Sequence, residues 1–354
     1  MDSNAAFDKF LYPNFSKKLE NFIRSKEENT SPNEELNEPV IDLGGFHGSG
    51  AGATVDLVRA ACLSHGLFQV TNHGVDLELV NSVYGHVNIF FDLPIDAKMR
   101  VHRVPGSFSG YSFANADRFT LNLPWKEIFS CVFREGGDDS DEMHLFFESA
   151  FGQEFEKIRL DFLKYCAAMK KLSLTIVEIL GMSLGVDKQY YKDFFEDNSS
   201  ILRCNSYPPC HEPGQTLGTG PHCDPTALTI LYQDQVGGLE VLADGLWKSV
   251  RPRPDALVVN LGDTFSALSN GVYKSCPHRV VVSKSMRRVS MVYFVCPSEE
   301  KVIKPPKNLV SSERLRQYPD FKWLDFLNFT QKHYRVDVAT LQNFTKWLTS
   351  HQPT

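Results

Sequence analysis

The run His222-Cys223-Asp224 sets an imidazole and a carboxylate two positions apart. On an extended strand, residues i and i+2 leave the backbone on the same face, so these two groups converge on one point. His278 follows three or four strand-like runs later, a separation that a folded β barrel can close. Two histidines and one carboxylate on one face of a metal leave its other positions open. That is the facial triad of non-haem Fe(II) oxygenases, whose iron must take both a co-substrate and O2. The set is not specific by itself. The chain has 11 histidines, a lone His-x-Asp arises by chance, and zinc hydrolases also use two histidines and a carboxylate.

Arg288-Val289-Ser290, ten positions beyond His278 and across a turn, discriminates between these readings. Arg288 and Ser290 share a strand face. A guanidinium grips a carboxylate in a two-pronged fashion and a hydroxyl adds one more hydrogen bond. A clamp of this kind suits the distal carboxylate of 2-oxoglutarate, and a hydrolase has no use for it. Asn205 and Tyr207, on one face of an earlier strand, are placed to reach the same co-substrate before Pro208 and Pro209 stiffen the chain into a turn. Phe133, Leu231 and Phe294 are candidates for an apolar wall. Lys274, Arg251 and Arg279 read as solvated surface cations.

The elements that must hold these residues are strands. From about residue 200 the runs ILRCNSY, ALTILY, GLEVL, LWKSV, ALVVNL, HRVVV and RVSMVYFV follow one another between Gly, Pro, Asp and Asn turns, the pattern of a β sandwich or barrel. Upstream, apolar residues from Phe155 to Leu180 recur at helical spacing and predict one long amphipathic helix over about 148–184, with a shorter one at Lys188–Phe195. A glycine-rich loop leads to a helix for which Thr54 is the candidate N-cap. Gly48-x-Gly50-x-x-Ala53 in that loop fits a dinucleotide fingerprint, but the next strand ends Thr71-Asn72 with no acid to hold a ribose, so it reads as a surface loop. The expected fold is α+β, a distorted double-stranded β-helix (jelly roll) flanked by helices. Its expected divisions are a flexible segment at 1–38, an α/β region at 39–199 packing on the barrel, the catalytic core at 200–298, and a helical tail at 299–354.

Composition narrows the partners. A 354-residue chain with 42% hydrophobic residues builds a sizeable core without staples. A net charge of -6 offers no basic surface for nucleic acid. No apolar run reaches the roughly 18–20 residues that span a bilayer, and the N-terminal residues lack a secretory pattern. Eight cysteines without a CxxC pair read as reduced thiols of a cytoplasmic protein. The expected partner is a small molecule.

These residues resemble the plant 2-oxoglutarate-dependent dioxygenases, and among them the gibberellin 20-oxidases, over about residues 38–348. The resemblance is carried by LFQVTNHGV (67–75), LPWKE (123–127), the run from Asn205 to Leu242, and NLGDTFSALSNGVYKSCPHR (260–279). It implies the jelly-roll fold, Fe(II) held by His222, Asp224 and His278, and 2-oxoglutarate held by Arg288 and Ser290 with Tyr207 and Asn205. It also implies O2 as oxidant, ascorbate as a supporting reductant, and stepwise oxidation of carbon-20 of a gibberellin precursor in the making of a plant hormone. Leu123, Pro124, Trp125, Lys126 and Glu127 are implied as substrate contacts, with Lys126 offering a cation and Trp125 an apolar face. Ser206, Ser266, Val272 and Pro277 depart from the residues usual in the family and are expected around the pocket. A sister 2- or 3-oxidase, a flavonoid or auxin dioxygenase, an oxidase that dispenses with 2-oxoglutarate, and a metal-binding scaffold are the competing readings.

Overall fold

The computed structural model describes residues 34–48, 50–104, 106–114, 123–134, 139–152, 155–197, 199–211, 213, 216–332 and 339–351. The greater part of the leading segment, 1–33, lies outside the described residues. Its end is tied down: Leu36 N donates to Ser249 O at 2.8 Å and Arg251 pairs with Glu35.

The chain opens with β1 (Val40–Asp42), α1 (Ala51–Ser64) and β2 (Leu67–Thr71), a parallel pair joined by a helix. The helix starts four residues earlier than a Thr54 cap would place it. Its N-cap is Gly50, and the Thr54 hydroxyl, inside the first turn, donates back to Gly50 O at 3.3 Å. Next come α2 (Leu77–Asp92), capped by the Asp76 carboxylate on Glu78 N, α3 (Ile95–Met99), β3 (Gly110–Phe113) and β4 (Glu127–Phe133). The single helix expected over 148–184 is two, α4 (Asp139–Phe151) and α5 (Phe155–Ser183). Gly152, with φ of 59°, stops the first in the left-handed conformation that glycine alone takes freely, while the apolar pattern runs on across the break. After α6 (Lys188–Phe195) the strands follow almost without interruption: β5 (Ser199–Tyr207), β6 (Leu217–His222), β7 (Leu228–Gln233), β8 (Leu239–Ala243), β9 (Leu246–Ser249) and β10 (Leu257–Leu261). The short α7 (Asp263–Leu268), β11 (His278–Val281), β12 (Arg288–Cys296), β13 (Val302–Ile303), β14 (Phe321–Lys322), α8 (Trp323–Lys332) and α9 (Thr340–His351) complete the chain.

Two sheets face each other. The larger runs β1-β2-β10-β7-β12-β5-β4-β3 and the smaller β6-β11-β8-β9. The expected jelly roll with flanking helices is what forms, and the region before residue 199 enters it directly, supplying four strands of the larger sheet. One face of that sheet is covered by α5, whose Phe162, Tyr165, Cys166, Met169, Leu172 and Ile176 are all buried at helical spacing. Burying such side chains stabilises the layer by about 1.5–3 kcal/mol each. The other face, with the smaller sheet, encloses the cavity. No described helix is long and apolar enough to cross a membrane.

Candidate active site

His222 is the last residue of β6 and His278 the first of β11, and the two sit opposite each other in the ladder. Asp224 is not on the strand. It lies just beyond the end of β6, where the chain turns, so its carboxylate reaches the histidines from a loop. That loop is pinned to the start of α7: Asp263 N donates to Asp224 O at 2.8 Å and Thr264 Oγ1 to Pro225 O at 2.6 Å. Gly262 makes the approach possible, since a Cβ there would stand 2.0 Å from Thr226 O.

One donor atom from each of the three residues lies within 4.8 Å of the others. His222 Nε2 is 3.5 Å from Asp224 Oδ1, and His278 Nε2 is 3.7 Å from Asp224 Oδ2. Each ring is turned the same way: Nδ1 of His222 donates to Gly220 O and Nδ1 of His278 to Cys276 O, both at 2.9 Å. This fixes the tautomer and leaves both Nε2 lone pairs aimed at the centre. Burial, reinforced by the neighbouring His222, pushes His278 down to about 4, so at neutral pH it offers a lone pair. Burial would raise the Asp224 carboxyl, but the charge of His278, the hydrogen bond and charge of His222 and a 2.5 Å hydrogen bond from Thr229 Oγ1 hold it well below the usual range. Two imidazole nitrogens and one carboxylate, clustered and partly buried, fit a divalent transition metal.

From this centre a cavity of about 200 Å³ extends between the sheets. At its far end, β12 and β5 pair Arg288 with Tyr207 and Ser290 with Asn205, alternate rungs of the ladder, so all four side chains face inward. The guanidinium of Arg288 is 1% exposed and lies 5.0 Å from the Tyr207 ring centre. Nη2 donates to Gln233 Oε1 at 3.1 Å, while Nε and Nη1 are buried without a hydrogen-bond partner. An ionised group left so is costly, and one carboxylate from a ligand meets the deficit. Gly218 gives Tyr207 its place, because a Cβ there would come within 2.5 Å of the ring.

The five residues of LPWKE divide between two sides. Pro124 and Lys126 line the cavity, and Leu231 and Phe294 wall it as expected. Trp125 is buried away from it, its indole donating to Pro208 O at 3.1 Å, and Leu123 packs in the same apolar cluster. Glu127 belongs to a structural pair: Lys98 Nζ is 2.6 Å from its carboxylate and Tyr111 Oη donates at 3.1 Å. Removing one partner of a buried ion pair typically costs about 3–5 kcal/mol. Glu127→Ala is therefore expected to unfold at markedly lower denaturant concentration while the folded protein keeps its KM for substrate and co-substrate, checked by urea titration and steady-state assay. Phe133 is core. Arg279 is no surface cation; it is buried, with Nε 2.6 Å from Glu240 and its guanidinium over Trp247.

The four departures do not line this cavity. Ser206 points to the opposite side of β5 from Asn205 and Tyr207. Ser266, Val272 and Pro277 line a second hollow behind Cys223, on the far side of the metal-binding loop. A cavity residue that sequence reasoning passed over is Arg203, which continues the inward face of Asn205 and Tyr207 by one more alternation. The alternation itself was the signal.

A jelly roll carrying a two-histidine, one-carboxylate centre in one cavity with a buried arginine defines a non-haem iron oxygenase. The chain belongs to the 2OG-Fe(II) oxygenase superfamily, whose family model matches residues 198–297, and the model described as non-haem dioxygenase in morphine synthesis N-terminal matches 39–149. It groups with the plant gibberellin 20-oxidases. It is 51% identical to gibberellin 20 oxidase 2 of Oryza sativa subsp. indica over 317 residues, 89% of this chain and 80% of the relative. It is 48% identical to gibberellin 20 oxidase 2 of Arabidopsis thaliana, over 90% of this chain and 84% of that one. Among solved structures, that of JOX2 in complex with 2OG, Fe and JA superimposes with a TM-score of 0.80 at 30% identity, covering 92% of this chain and 93% of the other. The dioxygenase for auxin oxidation of rice does so at 0.72 and 29%, covering 86% and 99%. The protein is a 2-oxoglutarate-dependent dioxygenase that uses Fe(II).

Proposed function

We propose that this chain oxidises carbon-20 of C20 gibberellins stepwise, through alcohol and aldehyde, to C19 products. His222, Asp224 and His278 would hold the iron; Arg288 and Ser290, with Tyr207 and Asn205, would hold 2-oxoglutarate. The observation that carries the site reading is the buried Arg288 guanidinium, with Nε and Nη1 still without a hydrogen-bond partner, in the same cavity as the triad. The carbon-20 assignment rests on the identity to gibberellin 20-oxidases over most of the chain. Bound Fe(II) supplies the oxidation of an unactivated C–H bond by O2, coupled to decarboxylation of 2-oxoglutarate to succinate.

The protein's own part is placement. The Nδ1 anchors of the two histidines hold their lone pairs on one point, and the Thr229 hydroxyl holds the carboxylate beside them. The apolar walls, including Leu231, Val292, Phe294, Trp323 and Leu327, exclude water and fit a rigid, largely hydrocarbon skeleton. All eight cysteines are free and buried, which supports a reducing, cytoplasmic setting. The test is mass spectrometry of the products formed from a C20 gibberellin with Fe(II), 2-oxoglutarate and O2. Alcohol, aldehyde and C19 products are expected in succession. Ring-hydroxylated products with carbon-20 intact would move the protein to a sister 2- or 3-oxidase activity.

A further inference from the structure

The larger sheet lines the cavity in rows, because every second rung of its ladders points inward. Arg288 with Tyr207 and Ser290 with Asn205 make the polar rows at the co-substrate end. Val292 follows along β12, and then Phe294, which pairs with Ile201 on one side and Thr229 on the other. This last row meets the metal-binding loop, since Thr229 Oγ1 donates to Asp224 Oδ2 at 2.5 Å. β10 extends it: Asn260 pairs with Thr229. Directly opposed residues of an antiparallel pair set their Cβ atoms about 4.5–5.5 Å apart on one face. Asn260 thus stands beside the residue that holds a metal ligand, and it lines the cavity there with Ile201, Phe294 and Thr229.

A carboxamide is a costly choice at this place. Asn260 is 1% exposed, and its Oδ1 is buried without a hydrogen-bond partner. The rest of the row does not answer it: Ile201 and Phe294 are apolar, and the Thr229 hydroxyl is committed to Asp224. A buried polar group left so costs stability that a packed apolar side chain would not. The triad is the proposed holder of the iron and the Arg288 end that of 2-oxoglutarate, so the group that reaches Asn260 is a substituent of the substrate. A carboxamide offers two N–H donors and one acceptor on a single flat group. A methyl group uses none of them. A hydroxyl or aldehyde oxygen on the same carbon accepts from the N–H, and the hydroxyl also donates to Oδ1.

We infer that Asn260 is a specificity-determining residue for the later rounds of the reaction, its carboxamide hydrogen-bonding the oxygen that the first oxidation installs on the substrate carbon. This rests on the stepwise oxidation proposed above. Its consequence is that the alcohol and the aldehyde are held at the metal centre by a contact the parent substrate lacks, so the enzyme carries one molecule through successive rounds.

The test compares a C20 gibberellin with its own carbon-20 alcohol, in wild type, Asn260→Leu and the smaller Asn260→Ala. Affinities are measured by equilibrium dialysis on enzyme loaded with Fe(II) and 2-oxoglutarate and kept free of O2, so that nothing turns over. Products released in air are then followed by mass spectrometry. Asn260→Leu is expected to lose about ten-fold in affinity for the alcohol relative to the parent, the worth of leaving one hydroxyl buried without its partner. In air it is expected to release alcohol that wild type carries on to the C19 product. Its urea midpoint is expected to match or exceed that of wild type, because leucine of like size replaces a buried polar group that no protein atom satisfies. Asn260→Ala is expected to show the same change in the ratio of affinities. An unchanged ratio in both variants would overturn the inference. So would a lowered urea midpoint in Asn260→Leu with equal losses for alcohol and parent, which would make Asn260 a structural residue. Wild type that forms no carbon-20 alcohol from any C20 gibberellin would overturn this inference together with the activity it rests on.

Discussion

His278→Ala is expected to abolish turnover and bound iron while leaving the fold in place, and Asp224→Ala and His222→Ala to do the same. Loss of a group that merely orients a metal ligand costs about 10–100-fold in metal affinity or activity. Removing the ligand itself from a three-residue centre is expected to exceed that, on the order of a thousand-fold. His278 is the most telling of the three. Its Nδ1 is committed to Cys276 O and its Nε2 stands 3.7 Å from Asp224 Oδ2, and Asp224 keeps its hydrogen bond from Thr229 Oγ1 when the side chain is shortened. Metal content and succinate formation, read beside a circular-dichroism spectrum, separate loss of the centre from loss of the fold. Near-full activity with iron still bound in His278→Ala would show that the triad is misassigned.

The second large effect concerns the clamp. Arg288→Ala is expected to weaken 2-oxoglutarate binding by roughly ten- to a hundred-fold or more, since a charge-assisted contact contributes about 1.5–3 kcal/mol and the ligand carboxylate would be left buried without a partner. Iron affinity is expected to change little, because the guanidinium lies at the opposite end of the cavity from the triad. Arg288→Lys is expected to recover only part. An ammonium cannot reproduce the planar fork, nor lie flat against Tyr207 as the guanidinium does at 5.0 Å. Titration of 2-oxoglutarate into each variant decides the matter, and unchanged affinity in Arg288→Ala would remove Arg288 from the site.

Much of this arrangement was legible in the sequence because the side chains concerned are chemically unusual and their spacing matches a strand. Arg288, Ser290, Asn205 and Tyr207 face one another because alternation on two strands puts them there, and the register of β5 on β12 pairs them in alternate rungs of one face. Asp224 was harder to read. The i, i+2 rule placed it on β6, whereas the strand ends at His222 and the carboxylate is delivered by a turn that Gly262 and α7 hold. The rule reached the right partner by a different geometry. Likewise, family likeness marked LPWKE as a unit of substrate contact, but the backbone, bent at Trp125 with Lys126 N donating to Pro124 O, sets Pro124 and Lys126 on the cavity and leaves Trp125 and Glu127 off it. Alternation around Asn205 and Tyr207 also pointed to Arg203, yet an arginine in a strand carries no motif of its own.

The long-range pairings were beyond local reading. Nothing in Val40–Asp42 or Glu127–Phe133 announces that these strands extend the same sheet as β12, since that depends on contacts between residues far apart in the chain. The break between α4 and α5 was missed for the opposite reason. The apolar period continues through Gly152, so only the left-handed backbone of that residue tells the two helices apart. The departures from family pattern at Ser266, Val272 and Pro277 fell behind the triad, not around the cavity, because proximity in sequence to His278 does not fix which side of the loop a neighbour takes.

The most direct measurement of the central claim is the coupling of succinate to oxidation of the substrate. Purified protein is given Fe(II), 2-oxoglutarate and O2 with and without a C20 gibberellin, and succinate and gibberellin products are counted together over the time course. The expected result is one succinate for each oxidation step at carbon-20, with little succinate in the absence of gibberellin or of iron. Oxidised gibberellin without matching succinate would contradict the assigned clamp and co-substrate. Succinate that forms at the same rate whether or not a gibberellin is present, with carbon-20 unchanged, would contradict the proposed substrate.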